Sequence, residues 1–260
     1  MFRHTRMITV LAILIAGSEP ALSQRRNQPP RAAQHGEAMP AAGLATKFHD
    51  NADCVAISSP YGSTTRYDGS LRSTGGGPGA THGGIDLTLR EGTPLLAIAP
   101  GTVFASGEGG MMEGIYLWTL HLPAQTGLPF AYLAKYQHLA RPPSLRRGDA
   151  VALGQEVARS GLTGTVGGHY RAEGYPHLHL TVRAVPEDKA AMATGARDEF
   201  VIVRDSIQID PLVVFLPDLP SLGDVKNLPP ERRQLTIGYV DAVGGVQPTS
   251  AHAVWPVACR

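Results

Sequence analysis

The chain has 260 residues, 43% of them hydrophobic and 17% charged, with 30 Gly, 21 Pro and a formal net charge of +1. A balance this close to neutral excludes a general binder of nucleic acid or of anionic membranes, which carries a strong basic excess. That much Gly and Pro interrupts helices repeatedly and points to a chain built from short strands and turns.

The chain starts with Arg3, His4 and Arg6, followed by the apolar run Met7 to Ala16. This run is far short of the ~20 residues a membrane span needs. Ala21-Leu22-Ser23 then offers a small-x-small cleavage site, so residues 1–23 read as a secretory signal peptide and Gln24 as the mature start. The expected location is periplasmic or secreted, with no membrane span after cleavage. Residues 24–47, rich in Arg, Gln, Pro and Ala, read as a flexible leader. The expected domain covers 48–217, with 218–260 as a C-terminal extension packed on it. There are two cysteines, Cys54 and Cys259. In an exported chain an even count favours an intrachain disulfide, and a loop this long is worth roughly 5 kcal/mol at most on the chain-entropy account.

Within the domain, strands are expected at Gly84–Leu89, Pro94–Ala97, Gly101–Gly107, Ile115–His121, Phe130–Gln137, Ala150–Val151, Glu156–Ser160 and Leu178–Val182. Their spacing predicts an all-β fold, an antiparallel β sandwich or flattened barrel with extended loops. Leu235–Val243 also looks strand-like. The Gly-rich run Thr74–Thr81 lacks the ending of a phosphate-binding loop, and its expected value is backbone freedom near a groove.

Two motifs carry chemistry. His82-Gly83-Gly84-Ile85-Asp86 offers a nitrogen and an oxygen donor. His177-Leu178-His179 places two imidazoles on one face of a strand. Together they suit a catalytic zinc, where three protein ligands leave a position for water. Neither motif is specific alone: His49 and Asp53 repeat the first spacing, and no role is assigned to them. His121 reads as structural, and His252 has no partner motif.

The wider order of motifs is more specific. After His82 and Asp86 come Glu91-Gly92-Thr93-Pro94, Gly101-Thr102-Val103, Tyr136-Gln137-His138-Leu139, Arg147-Gly148-Asp149 through Gln155, Gly161-Leu162-Thr163-Gly164, His177-Leu178-His179-Leu180 and Asp210-Pro211-Leu212. From about Ser58 to Leu216 this series closely resembles the lysostaphin-type zinc endopeptidases that cut peptidoglycan peptides. The resemblance implies antiparallel sheets forming an open groove with Zn2+ at its floor. It implies His82, Asp86 and His179 as metal ligands, His138 and His177 as catalytic histidines that do not bind the metal, and a peptidoglycan peptide as substrate. The protein is expected to act as a monomer.

The chain departs from that pattern in two places. The family runs quickly from its Thr-Gly turn into His-x-His, whereas here Thr165–Pro176 intervenes, with His169, Arg171, Glu173 and Tyr175. Such a loop can shape a subsite or cover the groove, and His169 is a candidate extra ligand. The segment Pro123–Pro129 is a second enlargement. Two other functions remain open. A non-catalytic wall-binding or activator module of the same fold would ordinarily lack the ligands that this chain retains. A biotinyl- or lipoyl-type carrier would share the turns at Pro100–Val103 and Gly148–Gln155, but Lys135 is the only lysine between them and its setting is not a hairpin tip.

Overall fold

The computed structural model describes residues 38–260 except 75–76, 79, 111, 187–188, 190–203 and 217. The expected signal peptide and the leader as far as residue 37 lie outside the described residues. The strands are β1 (Ala45–Lys47), β2 (Ser73–Thr74), β3 (Gly77–Pro78), β4 (Ile85–Thr88), β5 (Pro94–Leu96), β6 (Gly101–Glu108), β7 (Ile115–His121), β8 (Ala131–Gln137), β9 (Ala150–Val151), β10 (Glu156–Arg159), β11 (His177–Val185), β12 (Ile207–Ile209), β13 (Gln234–Thr236), β14 (Tyr239–Val240) and β15 (Val246–Gln247). The fold is all-β, with short 3-10 turns and a four-residue α-helix, Pro123–Thr126.

The main sheet runs β12-β11-β8-β7-β6-β9, with β4 also paired to β11, and every pairing in it is antiparallel. β11 is the axis of the sheet. Along one edge its first half pairs with β4 and its second half with β12, while β8 covers the other edge. Flanked on both edges and buried along most of its length, β11 extends further at both ends than the alternation at Leu178–Val182 indicates.

The two faces of this sheet differ. One carries Leu117, Ala134, Tyr136, Leu180 and Val182 into the main core, where they meet Leu95, Ala97 and Val157 from the separate β5–β10 layer. Each fully buried leucine or valine here stabilises the sandwich by roughly 1.5–3 kcal/mol. The register pairs Lys135 with Thr181 and with Trp118, so these three share the opposite face with His179. Phe104, Trp118, Leu120 and Leu133 form a second, smaller cluster on that face.

The ends of the chain are tied into the domain. Residues 38–47 fall within the expected flexible leader, yet they are bound to it. Met39 N donates to Gln208 O at 2.8 Å, the Tyr61 hydroxyl donates to Met39 O at 2.6 Å, and β1 pairs in parallel with β13. Met39 and Leu44 supply apolar anchors that a composition average hides. In the C-terminal extension Trp255 is fully buried in the main core and its indole N–H donates to Val55 O at 2.9 Å. Cys54 and Cys259 form the disulfide, closing a separation of 205 residues. The strand expected at Leu235–Val243 is broken: Trp255 N donates to Gly238 O, and a Cβ at Gly238 would lie 2.4 Å from Ala253 O, so a close backbone crossing interrupts the ladder. β12 and the 3-10 turn Pro211–Phe215 were not expected, since three residues of alternation are too few to read.

Candidate metal centre and its histidines

The pairing of β4 with β11 sets Asp86 directly opposite His179. Facing residues of an antiparallel pair project to the same side, so carboxylate and imidazole meet there. His82 lies one short turn before β4. The glycines between it and Asp86 allow the approach: a Cβ at Gly84 would lie 2.3 Å from Leu180 O, and one at Gly83 2.2 Å from the Gln208 amide nitrogen. Three donor atoms converge as a result. His82 Nε2 is 3.0 Å from His179 Nδ1 and 3.1 Å from Asp86 Oδ1, and His179 Nδ1 is 2.8 Å from Asp86 Oδ1.

The surrounding groups fix which atom each ring presents. His82 Nδ1–H donates to Pro60 O at 3.1 Å, leaving Nε2 as the lone-pair atom. His179 Nε2 lies 3.0 Å from Thr181 Oγ1, a hydroxyl that can accept from an Nε2–H and so leave Nδ1 as the lone-pair atom. Arg72 Nη2 lies 3.4 Å from Asp86 Oδ2 and donates to Ser59 Oγ at 2.9 Å, so Oδ1 is the carboxylate atom left facing the imidazoles. Partners of this kind orient metal-binding side chains. Burial alone would push the Asp86 carboxyl up, but the facing His179 and His82 rings outweigh it and hold it well below the ordinary range. Burial lowers His179 to about 4, against the opposing pull of Asp86. Three lone-pair atoms within hydrogen-bond distance of one another require a proton or a cation between them. His82, Asp86 and His179 can therefore hold a metal ion.

The other two expected histidines sit beside this cluster. His177 is on β11 two residues before His179, and its Nε2 is 3.7 Å from Asp86 Oδ1. Its Nδ1–H donates to Tyr175 O at 2.7 Å. His138 follows β8 with φ 62°, and this left-handed turn swings its ring towards His177, with centroids 4.5 Å apart. A non-glycine residue in that region costs roughly 1–2 kcal/mol. Its Nδ1–H donates to Thr163 O at 2.8 Å. Burial lowers both rings to about 4, with repulsion from His177 adding to the effect at His138 and attraction from Asp86 opposing it at His177. Both are thus neutral at pH 7, each with Nδ1–H engaged and, among the described residues, no hydrogen-bond partner at Nε2.

The structure brings His82, Asp86, His138, His177 and His179 to one place. His169 lies elsewhere: its Nε2 pairs with Asp68 Oδ2 at 2.8 Å and with Ser70 Oγ at 3.2 Å. His252 donates to Val214 O at 3.0 Å, away from the cluster. Sequence reasoning missed Ser59, Arg72, Thr163 and Thr181. Thr181 was readable, two residues beyond His179 on the same strand face. Arg72 reaches the site from a loop, and no pattern announces it.

Residues 80–192 match Peptidase family M23. An "Uncharacterized metalloprotease" of Haemophilus influenzae is 29% identical over 167 residues, covering 58% of this chain but 30% of the relative, so this chain spans less than a third of that protein's length. Two solved structures overlap in part. The catalytic domain of the antimicrobial peptidase lysostaphin from Staphylococcus simulans is 26% identical, with 48% of this chain and 77% of that one covered and a TM-score of 0.36. A zinc-containing peptidase from Vibrio cholerae is 24% identical, with 53% and 35% covered and a TM-score of 0.38. His82, Asp86, His138, His177 and His179 all lie inside the stretch that is similar to Peptidase family M23.

Proposed function

We propose that the protein is a secreted or periplasmic zinc endopeptidase that hydrolyses peptide cross-links of peptidoglycan. His82, Asp86 and His179 are its metal ligands, and His138 and His177 its catalytic histidines. One observation carries the reading: three lone-pair donors lie 2.8–3.1 Å apart, with two further imidazoles beside them whose Nε2 atoms have no hydrogen-bond partner among the described residues. Two neutral imidazoles and one carboxylate suit zinc and leave the loaded site positive. When bound, zinc lowers the pKa of water and polarises a peptide carbonyl.

The side chains do the rest. Neutral His138 and His177 can each accept a proton at Nε2 from the attacking water. Their buried setting disfavours the imidazolium, so the proton is readily passed on to the leaving amine. An imidazolium Nε2–H also stabilises the oxyanion that forms as the carbonyl is attacked. The motif series from His82 to Asp210 supports a wall-peptide substrate, and the N-terminal signature supports export. The domain at 48–217 acts together with the extension at 218–260, as a monomer.

Defined cross-linked muropeptides, digested by the zinc-loaded protein and analysed by mass spectrometry, test the reading. Cleavage within the peptide bridge, abolished by a chelator and restored by zinc, is the expected result. Intact cross-links after prolonged incubation of zinc-loaded protein would overturn it.

A further inference from the structure

The loop between Thr165 and Pro176 separates this chain from the pattern it otherwise follows, and its contacts give it a task. It is fastened to the loop before His82. His169 Nε2 pairs with Asp68 Oδ2 at 2.8 Å and with Ser70 Oγ at 3.2 Å. Tyr67 stacks on Tyr170, with centroids 6.0 Å apart. At the loop's end Tyr175 is buried, and its hydroxyl bonds to Thr88 Oγ1 and, at 3.3 Å, to Ser58 Oγ. Its ring lies between two others. Tyr67 is stacked on one side, centroids 3.9 Å apart and planes at 12°, and His177 on the other, at 4.4 Å and 23°. Its carbonyl takes the His177 Nδ1–H.

We propose that Tyr175 is a positioning residue for His177: its ring and carbonyl together fix the imidazole's plane and tautomer, and Tyr67 backs the stack. The inference rests on the peptidase reading for its kinetic consequence. A hydrogen bond alone leaves a ring free to rock about that bond. A stacked neighbour removes this freedom, and the hydroxyl anchors hold the neighbour against β4. The Nε2 lone pair is thereby kept aimed beside Asp86. Orientation of this kind acts on the chemical step more than on binding, because misdirecting a reacting group costs rate even where the substrate still docks.

The test compares Tyr175→Leu, Tyr175→Phe and Tyr67→Ala. Three readouts are used: kcat and KM on a cross-linked muropeptide, zinc affinity, and the His177 ring signals by NMR. Tyr175→Leu is expected to lower kcat about 10-fold or more, with KM and zinc affinity within about 2-fold, and to split or broaden the His177 ring signals. Tyr175→Phe, which keeps the stack, is expected to restore most of kcat and a single ring environment. Tyr67→Ala should fall between them. If Tyr175→Leu keeps both kcat and one sharp His177 environment, the inference is overturned. Should the wild-type protein cleave nothing, the function reading fails, while the ring signals still decide whether Tyr175 orders His177.

Discussion

His121 and His177 are nearly the same device in two regions of the molecule. Each is a buried histidine whose Nδ1–H donates to a carbonyl, Pro100 O at 2.8 Å for His121 and Tyr175 O at 2.7 Å for His177. Each stacks on a tyrosine, Tyr132 at 4.6 Å and Tyr175 at 4.4 Å. Burial lowers both to about 4. They part at Nε2. At His121 that atom accepts from the Thr119 hydroxyl at 2.8 Å, which completes the ring's hydrogen bonding inside the sheet. At His177 it faces a cluster of three other donor atoms. A depressed pKa and a buried imidazole therefore do not mark a reactive site here. What sets His177 apart is an unspent lone pair beside a cluster of others.

The largest effects that could break this contrast concern the cluster itself. His82→Ala, Asp86→Ala and His179→Ala are each expected to abolish zinc retention and to lower cleavage by roughly three orders of magnitude or more. Elemental analysis of dialysed protein and a muropeptide assay read both. A variant that kept stoichiometric zinc would remove its residue from the ligand set. Next in size, His138→Ala and His177→Ala are expected to keep zinc yet lose about 10²–10⁴ in kcat. Full activity in His177→Ala would mean that its spare Nε2 is no more used than that of His121.

The strands and the five clustered residues were legible because they rest on local regularities. Alternation located β4 to β8, and the fixed order of His-x-x-x-Asp, Gln-His and His-x-His picked out the residues that cluster. What stayed hidden depends on chain segments that meet only after folding. Arg72 reaches Asp86 from a loop 14 residues away. The left-handed backbone at His138 has no signal in Gln137-His138-Leu139. Residues 38–47 looked like leader because their polar character dominates, although Met39 packs on the core and hydrogen bonds to Gln208 from the far end of the domain. The inserted loop was visible as an interruption, but that Tyr175 stacks between Tyr67 and His177 follows only from three dimensions.

Smaller effects sharpen the other side of the contrast. His121→Gln should leave zinc content and kcat unchanged while lowering stability by about 2 kcal/mol, because Thr119 and Pro100 O lose a buried partner. Urea unfolding of the zinc-free protein measures it.

The same variant isolates a pH effect whose sign is fixed. The folded-state pKa of His121 is about 4, below its ordinary 6.5. Above pH 6.5 the ring is neutral in both states and contributes no slope. As pH falls from 6.5 towards 4, the unfolded chain takes up a proton that the folded chain refuses, so stability declines by about 1 kcal/mol for each pH unit. Near pH 4 the folded state begins to protonate as well, and the decline levels off. His138, His177 and His179 are shifted in the same direction and add to the wild-type slope. They remain in His121→Gln, so the difference between the two curves belongs to His121. The gap between wild type and variant should therefore narrow as pH is lowered from 6.5 and close before pH 4. Parallel curves would mean that His121 is protonated as readily in the sheet as in the unfolded chain, and that its closed pair of hydrogen bonds does not hold it neutral.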